Sequence, residues 1–287
     1  MRVEHVVGRV GSLWRYPVKS MLGEPVAAAE VTARGLTGDR GLAVIDRETG
    51  KVASAKNPRL WKALLTCGAV LGEGEVTISL PHGKGKPVRQ TDADVDDVLS
   101  ALLGRAVTLT DTPPERGTLD RSVPEQVLRH GLDAEVPADI VQFGSAAPAG
   151  TFFDFAPLHL LSTATLREVA ALSPRGTADA ERYRPNIVID TEDAGFVEHA
   201  WVERELKIGD QLVLLVVAST PRCAVPTLPH GELPQDTAAL RTLAEHNRIP
   251  GLPGRNPEPC AGVYAQVLRP GPVRVGDIVR QGTNSLV

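Results

Sequence analysis

Residues 206–227 read Leu206-Lys207-Ile208-Gly209-Asp210-Gln211-Leu212-Val213-Leu214-Leu215-Val216-Val217-Ala218-Ser219-Thr220-Pro221-Arg222-Cys223-Ala224-Val225-Pro226-Thr227. The run 212–218 is apolar, rich in β-branched side chains and too short for most helices, which predicts a buried strand. Gly209-Asp210 ahead of it is a tight-turn signal between two strand-like stretches. Val273-Arg274-Val275-Gly276-Asp277-Ile278-Val279 repeats the strand–Gly-Asp–strand pattern. The C-terminal part is therefore expected to be β-rich and to curl into a barrel. Beyond the strand, Arg222-Cys223 is flanked by prolines that fix φ and cannot continue a ladder, so the loop is stiff and irregular. A thiol held there beside a permanent positive charge is placed where a thiolate is favoured. A lone cysteine after a strand is equally an ordinary small buried hydrophobe.

The composition narrows the classes. A chain of 287 residues with 42% hydrophobic and 23% charged residues has an ordinary globular balance, with capacity for one large or two modest domains. A net charge of −4 gives no global drive toward nucleic acid or anionic membranes. Cys67, Cys223 and Cys260 are odd in number and far apart, which fits neither a disulfide framework nor a four-cysteine zinc site. The start Met1-Arg2-Val3-Glu4-His5 lacks the apolar core of a signal peptide, and no run approaches a membrane span. The expectation is a cytoplasmic, monomeric protein that binds neither nucleic acid nor membrane.

Outward from the opening stretch, the first 80 residues read as mostly β. A strand over 6–16 runs into Pro17-Val18-Lys19-Ser20, a second strand covers 26–31, and the turn-rich Gly35-Leu36-Thr37-Gly38-Asp39-Arg40-Gly41 follows. Residues 46–51 predict a hairpin, and 56–60 a basic loop. The spacing of Val95, Val98, Leu99, Leu102 and Leu103 predicts a helix over 92–103, with a solvated acidic start and Gly104 as its stop. The polar segment 110–122 is the candidate boundary between domains 1–115 and 116–287. Farther on, an apolar strand over 156–161 leads into Ser162-Thr163-Ala164-Thr165, a capped helix start that is also a plausible anion site. His159 reads as a hydrogen-bonded core residue, and 236–246 as a capped helix.

Lys19, Ser20, Arg40, Lys56, Arg59, Ser162, Thr163, Arg182, Arg184, Asn186, Arg222 and Cys223 fall mostly at strand ends or adjoining loops. So many loop cations on an acidic chain are able to frame a pocket for a phosphorylated or otherwise anionic ligand. The order of Tyr16-Pro17-Val18-Lys19-Ser20, Gly38-Asp39-Arg40, Pro58-Arg59-Leu60, Leu160-Leu161-Ser162, Arg184-Pro185-Asn186-Ile187-Val188-Ile189 and Arg222-Cys223 resembles the MOSC-domain proteins with an N-terminal β-barrel-like extension. That family includes the mitochondrial amidoxime-reducing component and its bacterial counterparts, and the resemblance runs from about residue 6 to 279.

The resemblance implies an α+β, β-rich fold: a MOSC β-barrel with peripheral helices behind an N-terminal β-barrel-like mixed domain. It implies a molybdenum cofactor (Mo-molybdopterin) with Cys223 as metal ligand and catalytic residue. Lys19, Ser20, Arg40, Ser162, Thr163, Arg184, Asn186 and Arg222 would hold the pterin and its phosphate. The implied reaction is reduction of small N-hydroxylated substrates, amidoximes and hydroxylamines. Some relatives carry a ferredoxin-like domain; here no iron–sulfur cluster is expected, and the electrons would come from a separate ferredoxin- or flavoprotein-like donor. The alternative implied by the same residues is a cofactor carrier or sulfur-transfer protein without redox turnover. Ala261 stands where the family usually has an aromatic residue, which is expected to open the pocket rim.

Overall fold

Along Leu212–Pro221 the side chains of Leu212, Leu214 and Val216 are fully buried, whereas Val213, Leu215 and Val217 are partly exposed. The strand thus buries one face, and the apolar run is half-buried rather than enclosed on both sides. That alternation is what a sheet with one covered face shows, a barrel wall included. The computed structural model describes residues 5–83, 85–251 and 256–282; residues 1–4, part of the start read above as carrying no signal peptide, lie outside them.

Seven strands form the wall: β1 (His5–Arg15), β2 (Leu158–Ser162), β3 (Ile187–Asp190), β4 (Glu205–Ile208), β5 (Leu212–Pro221), β6 (Glu258–Arg269) and β7 (Ile278–Gln281). Their order is β2-β3-β1-β7-β4-β5-β6, and β6 pairs back onto β2, so the ring closes and its strands leave no free edge. Only β2–β3 is parallel; the other contacts are antiparallel. The interior holds Val10, Leu13, Leu160, Ile187, Leu206, Leu214, Val263 and Val279, all at most 1% exposed.

The Gly209-Asp210 turn joins β4 to β5 as a hairpin. Its sequence echo does not. Gly271–Arg274 pairs with Ala28–Thr32 instead of with β7. The Gly276-Asp277 turn is fastened to β1, with Val10 N–H donating to Asp277 O at 2.8 Å and Gly276 N–H to Val10 O at 2.7 Å. It hands the chain from one sheet to another.

A second core, built on Val18, Met21, Val44, Trp61, Leu64, Ile78, Leu99 and Val107, lies within the first 115 residues. Around it stand the sheet Gly68–Gly72, Glu75–Ser79 and Val88–Arg89, the pair Ala43–Asp46 with Val107–Thr110, and the helix Val95–Leu103. That helix ends at Gly104 (φ +66), but its acidic start is only partly solvated: Asp96 accepts from Leu109 N–H and pairs with Arg47. Residues 58–61, read as loop, form a helical turn with Pro58 at its start, where a missing N–H costs nothing. Thr118–Ser122 in the polar connector pairs with Ala138–Gln142 as a two-stranded ribbon. β1 comes from the N-terminal part yet sits between β3 and β7 of the barrel. Among the described residues no helix is long and apolar enough to cross a membrane.

Candidate functional site

At Pro221 the β5 strand leaves its partner β6, and Arg222 N–H is fixed to Pro259 O at 2.8 Å. A single 3₁₀ turn, Val225–Thr227, follows, so Cys223 is held in a short rigid bend. The thiol packs with Ala55, Leu65, Val225 and Leu228 and faces a cavity of about 210 Å³. All three cysteines are free; Cys67 belongs to the second core, and burial pushes Cys260 up to about 12.

Charge distinguishes this cavity. Its lining holds six cations, Lys19, Arg40, Lys56, Arg121, Arg184 and Arg222, against two carboxylates, Asp154 and Glu258. Lys19 is 4% exposed; it donates to Phe152 O and to Asp154 Oδ1, each at 2.7 Å. Lys56 reaches the same carboxylate oxygen at 3.0 Å. Burial, opposed by Asp154, brings Lys19 down to about 8, and against the cost of burial the two lysines hold Asp154 far below the usual carboxylate range. Ser20, at φ +64, accepts from Ala55 N–H at 3.1 Å and ties the lysine turn to the wall beneath Cys223.

On the opposite wall, two arginines share one aromatic platform. The guanidinium carbons of Arg40 and Arg184 lie 4.7 and 4.3 Å from the Tyr16 ring centroid. Arg40 bonds Asp39, and it reaches Asn186 Oδ1 and Arg184 O at 3.4 Å. Burial, together with Arg40 as a like charge and partly countered by Tyr16, brings Arg184 down to about 10. Asn186 is a junction: its Oδ1 accepts from His159 N–H at 3.1 Å and its Nδ2 donates to Trp14 O at 3.3 Å, which locks β2 to β1. Arg222 donates to Tyr183 O at 2.8 Å, while its Nε, Arg184 Nη2 and Thr220 Oγ1 are buried with no protein partner. Buried donors without partners are costly, and three of them in residues lining one cavity mark a place for a ligand rich in acceptors.

His159 fulfils its expected core role and also reaches the cavity wall. Its ring nitrogens each lie 3.3 Å from a carbonyl, of Arg184 and of Ala261; burial plus Arg222 bring it down to about 3, so the neutral ring donates to only one of the two. Gly262 (φ +79) is required beside it, because a Cβ there would stand 2.2 Å from His159 Nε2. Ala261 is not at the rim: it is fully buried among Leu161, Val169, Tyr183 and Leu243.

Of the residues singled out from the sequence, Lys19, Ser20, Arg40, Lys56, Arg184, Asn186, Arg222 and Cys223 line the cavity together. Ser162 and Thr163 do not, nor do Arg59, which pairs with Glu135, and Arg182, which is buried against the carbonyls of Pro226, Leu228 and Pro234. Ser162 caps helix Thr163–Leu172 by accepting from Thr165 N–H at 3.0 Å, and it donates to the buried Glu198 carboxylate at 2.5 Å. Glu198 also takes Thr165 Oγ1 and Gly262 N–H, so a carboxylate of the protein fills the place read as an anion site. Thr163 is engaged by Thr191 and Arg167. Asp154, Arg121, Glu258 and Tyr264 were not selected from the sequence. Arg121 comes from the ribbon in the connector and meets Glu258 Oε1 at 3.3 Å; against burial, Cys223 and Glu258 hold its pKa up. Residues 118–122 hold one apolar side chain and no alternation, so nothing local marked the strand that carries Arg121.

Comparison with known proteins now bears on this geometry. The MOSC N-terminal beta barrel domain matches residues 7–115, and the MOSC domain matches residues 148–280. The chain is 29% identical to human mitochondrial amidoxime-reducing component 1 over 97% of its length and 84% of that protein. It is also 29% identical to the mouse protein of that name, over 95% of this chain and 82% of the relative. Human mitochondrial amidoxime reducing component 2 is again 29% identical, over 95% and 83%. With a closed β-rich barrel and both domain matches in register, this chain belongs to the MOSC-domain proteins that carry the MOSC N-terminal beta barrel domain.

Proposed function

We propose that this chain binds a molybdenum cofactor in the Cys223 cavity and reduces N-hydroxylated compounds, amidoximes and hydroxylamines, with electrons from a separate donor protein. The carrying observation is the pairing of one cavity-facing thiol with six cations and three unpartnered buried polar groups, Arg222 Nε, Arg184 Nη2 and Thr220 Oγ1. That donor set fits the group. A soft thiolate suits molybdenum, and buried guanidiniums suit a phosphate or the polar edge of a pterin. The names of the relatives, amidoxime-reducing components, support the choice of substrate.

Cys223 would supply the protein ligand to the metal, and Lys19, Arg40, Arg184, Asn186 and Arg222 would hold the pterin and its phosphate. When bound, the cofactor would supply two-electron reduction of the substrate N–O group, whose oxygen leaves as water. The protein's own part is positioning. The prolines on either side of Arg222-Cys223 keep the thiol from moving, and Asn186 fastens the arginine wall to both β1 and β2. The Lys19–Asp154–Lys56 triad gives that end of the cavity a net positive charge at neutral pH.

The test is purification from a host that makes the cofactor, followed by metal analysis and by turnover of benzamidoxime with an artificial reductant. Stoichiometric molybdenum with turnover is expected. Full loading without turnover would instead support the carrier or sulfur-transfer role, and no molybdenum would refute the site.

A further inference from the structure

A second cavity, about 450 Å³, lies on the other side of the arginine wall. Among the described residues Arg184 alone lines both cavities. Trp14, Leu22, Leu80, Pro81 and Leu233 give the second apolar walls suited to a ring, and Glu181 and Glu232 also line it. Besides Arg184 Nη2, which the Cys223 cavity claims, two polar atoms of its lining residues are buried without a protein partner: Tyr16 Oη and His230 Nε2. Tyr16 is 2% exposed and His230 3%. The roles of these atoms can be assigned. His230 Nδ1 lies 2.9 Å from Leu228 O, and a carbonyl only accepts, so the proton is on Nδ1 and Nε2 presents a lone pair. Burial, opposed by the bond to Leu228, keeps this ring neutral, with its pKa near 4. The tyrosine hydroxyl can donate or accept, so it is able to give its proton to a carbonyl.

We infer that this cavity is a separate binding site for a small planar lactam or ring amide, whose N–H is accepted by His230 and whose neighbouring carbonyl is taken by the Tyr16 hydroxyl. A free carboxylate fits less well, because it offers no proton to His230 Nε2. A purely apolar ring would leave both groups unpaired, at a cost that shape alone does not recover. Waters satisfying the same groups are the competing occupant, and the experiment is chosen to separate the two.

The probe is uracil, with 1,3-dimethyluracil as the matched control that keeps both carbonyls and loses both N–H donors. Binding to the full chain is read by ligand-observed NMR and calorimetry, which need no enzymatic activity. Uracil is expected to bind with a dissociation constant on the order of 0.5 mM for so small a molecule, and the dimethyl compound at least tenfold more weakly. His230→Leu should weaken uracil binding at least tenfold. Should that variant fail to fold, Leu80→Trp, which fills the cavity from its edge, serves the same end. Cys223→Ser, in the other cavity, should leave binding unchanged. Equal binding of the two probes, undiminished binding to both cavity variants, or no binding of uracil would overturn the assignment and leave a hydrated cavity.

Discussion

The guanidinium carbon of Arg184 sits 4.3 Å from the centre of the Tyr16 ring, and Arg40 shares that ring from 4.7 Å. Two like charges are held together there by an aromatic quadrupole, with Asp39 alongside. Replacing Tyr16 by Leu should release both guanidiniums and lower molybdenum retained after purification roughly tenfold, in line with the loss of about 1–2 kcal/mol of positioning. Tyr16→Phe keeps the ring and should retain the metal. Equal metal content in Leu and Phe variants would show that the ring does not position the arginines.

Cys223→Ser should lower benzamidoxime turnover by at least about a hundredfold, because an alcohol is a poor ligand for a soft metal. The thermal midpoint should move by only a few degrees, since the change removes little volume at an edge of the core. An unchanged turnover number would exclude Cys223 as metal ligand.

The Glu198 cluster makes the opposite prediction. Its carboxylate accepts from Ser162, Thr165 and Gly262, so Glu198→Ala leaves buried donors unpaired and should cost roughly 2–4 kcal/mol of stability. Ser162→Ala should lower stability by about 1 kcal/mol as a lost cap. If Ser162 is structural, the folded variant keeps its full molybdenum content in metal analysis; a loss of metal without loss of stability would assign it to the cofactor.

Acid should destabilise this protein through its buried histidines. Burial keeps His199 and His230 near 4 and His159 near 3, against about 6.5 in the unfolded chain. Between those values the unfolded state binds more protons, so stability is full above about pH 6.5 and declines as pH falls toward 4. Urea melts at pH 7.5 and 5 should show this drop. His199→Gln should make the drop shallower; an equal drop in the variant would remove His199 from the account.

Much of the barrel and of the basic cavity was legible because it rests on local pattern. The 212–218 run, the Gly209-Asp210 turn and the strand-end positions of Lys19, Arg40, Arg184 and Arg222 are features of short segments. What was hidden depends on distant partners. Nothing local shows that Gly276-Asp277 is bound by β1, more than 260 residues earlier, and so is not a hairpin turn. Ser162 reads identically whether its neighbour is a phosphate or Glu198. Asp154 lies in a stretch with no periodicity, and its importance comes only from the two lysines that meet it.

The place of β1 has a consequence for how this molecule is made. Its two wall partners are residues 187–190 and 278–281, so the ring cannot close until almost the whole chain is available. Contacts of such long range slow folding, and the open edges of β3 and β7 stay exposed while they wait. Cutting the chain at 115 would therefore not yield two independent halves. The later fragment would lack one stave of its own barrel, and it should aggregate through the gap or recover only when the first fragment is supplied beside it.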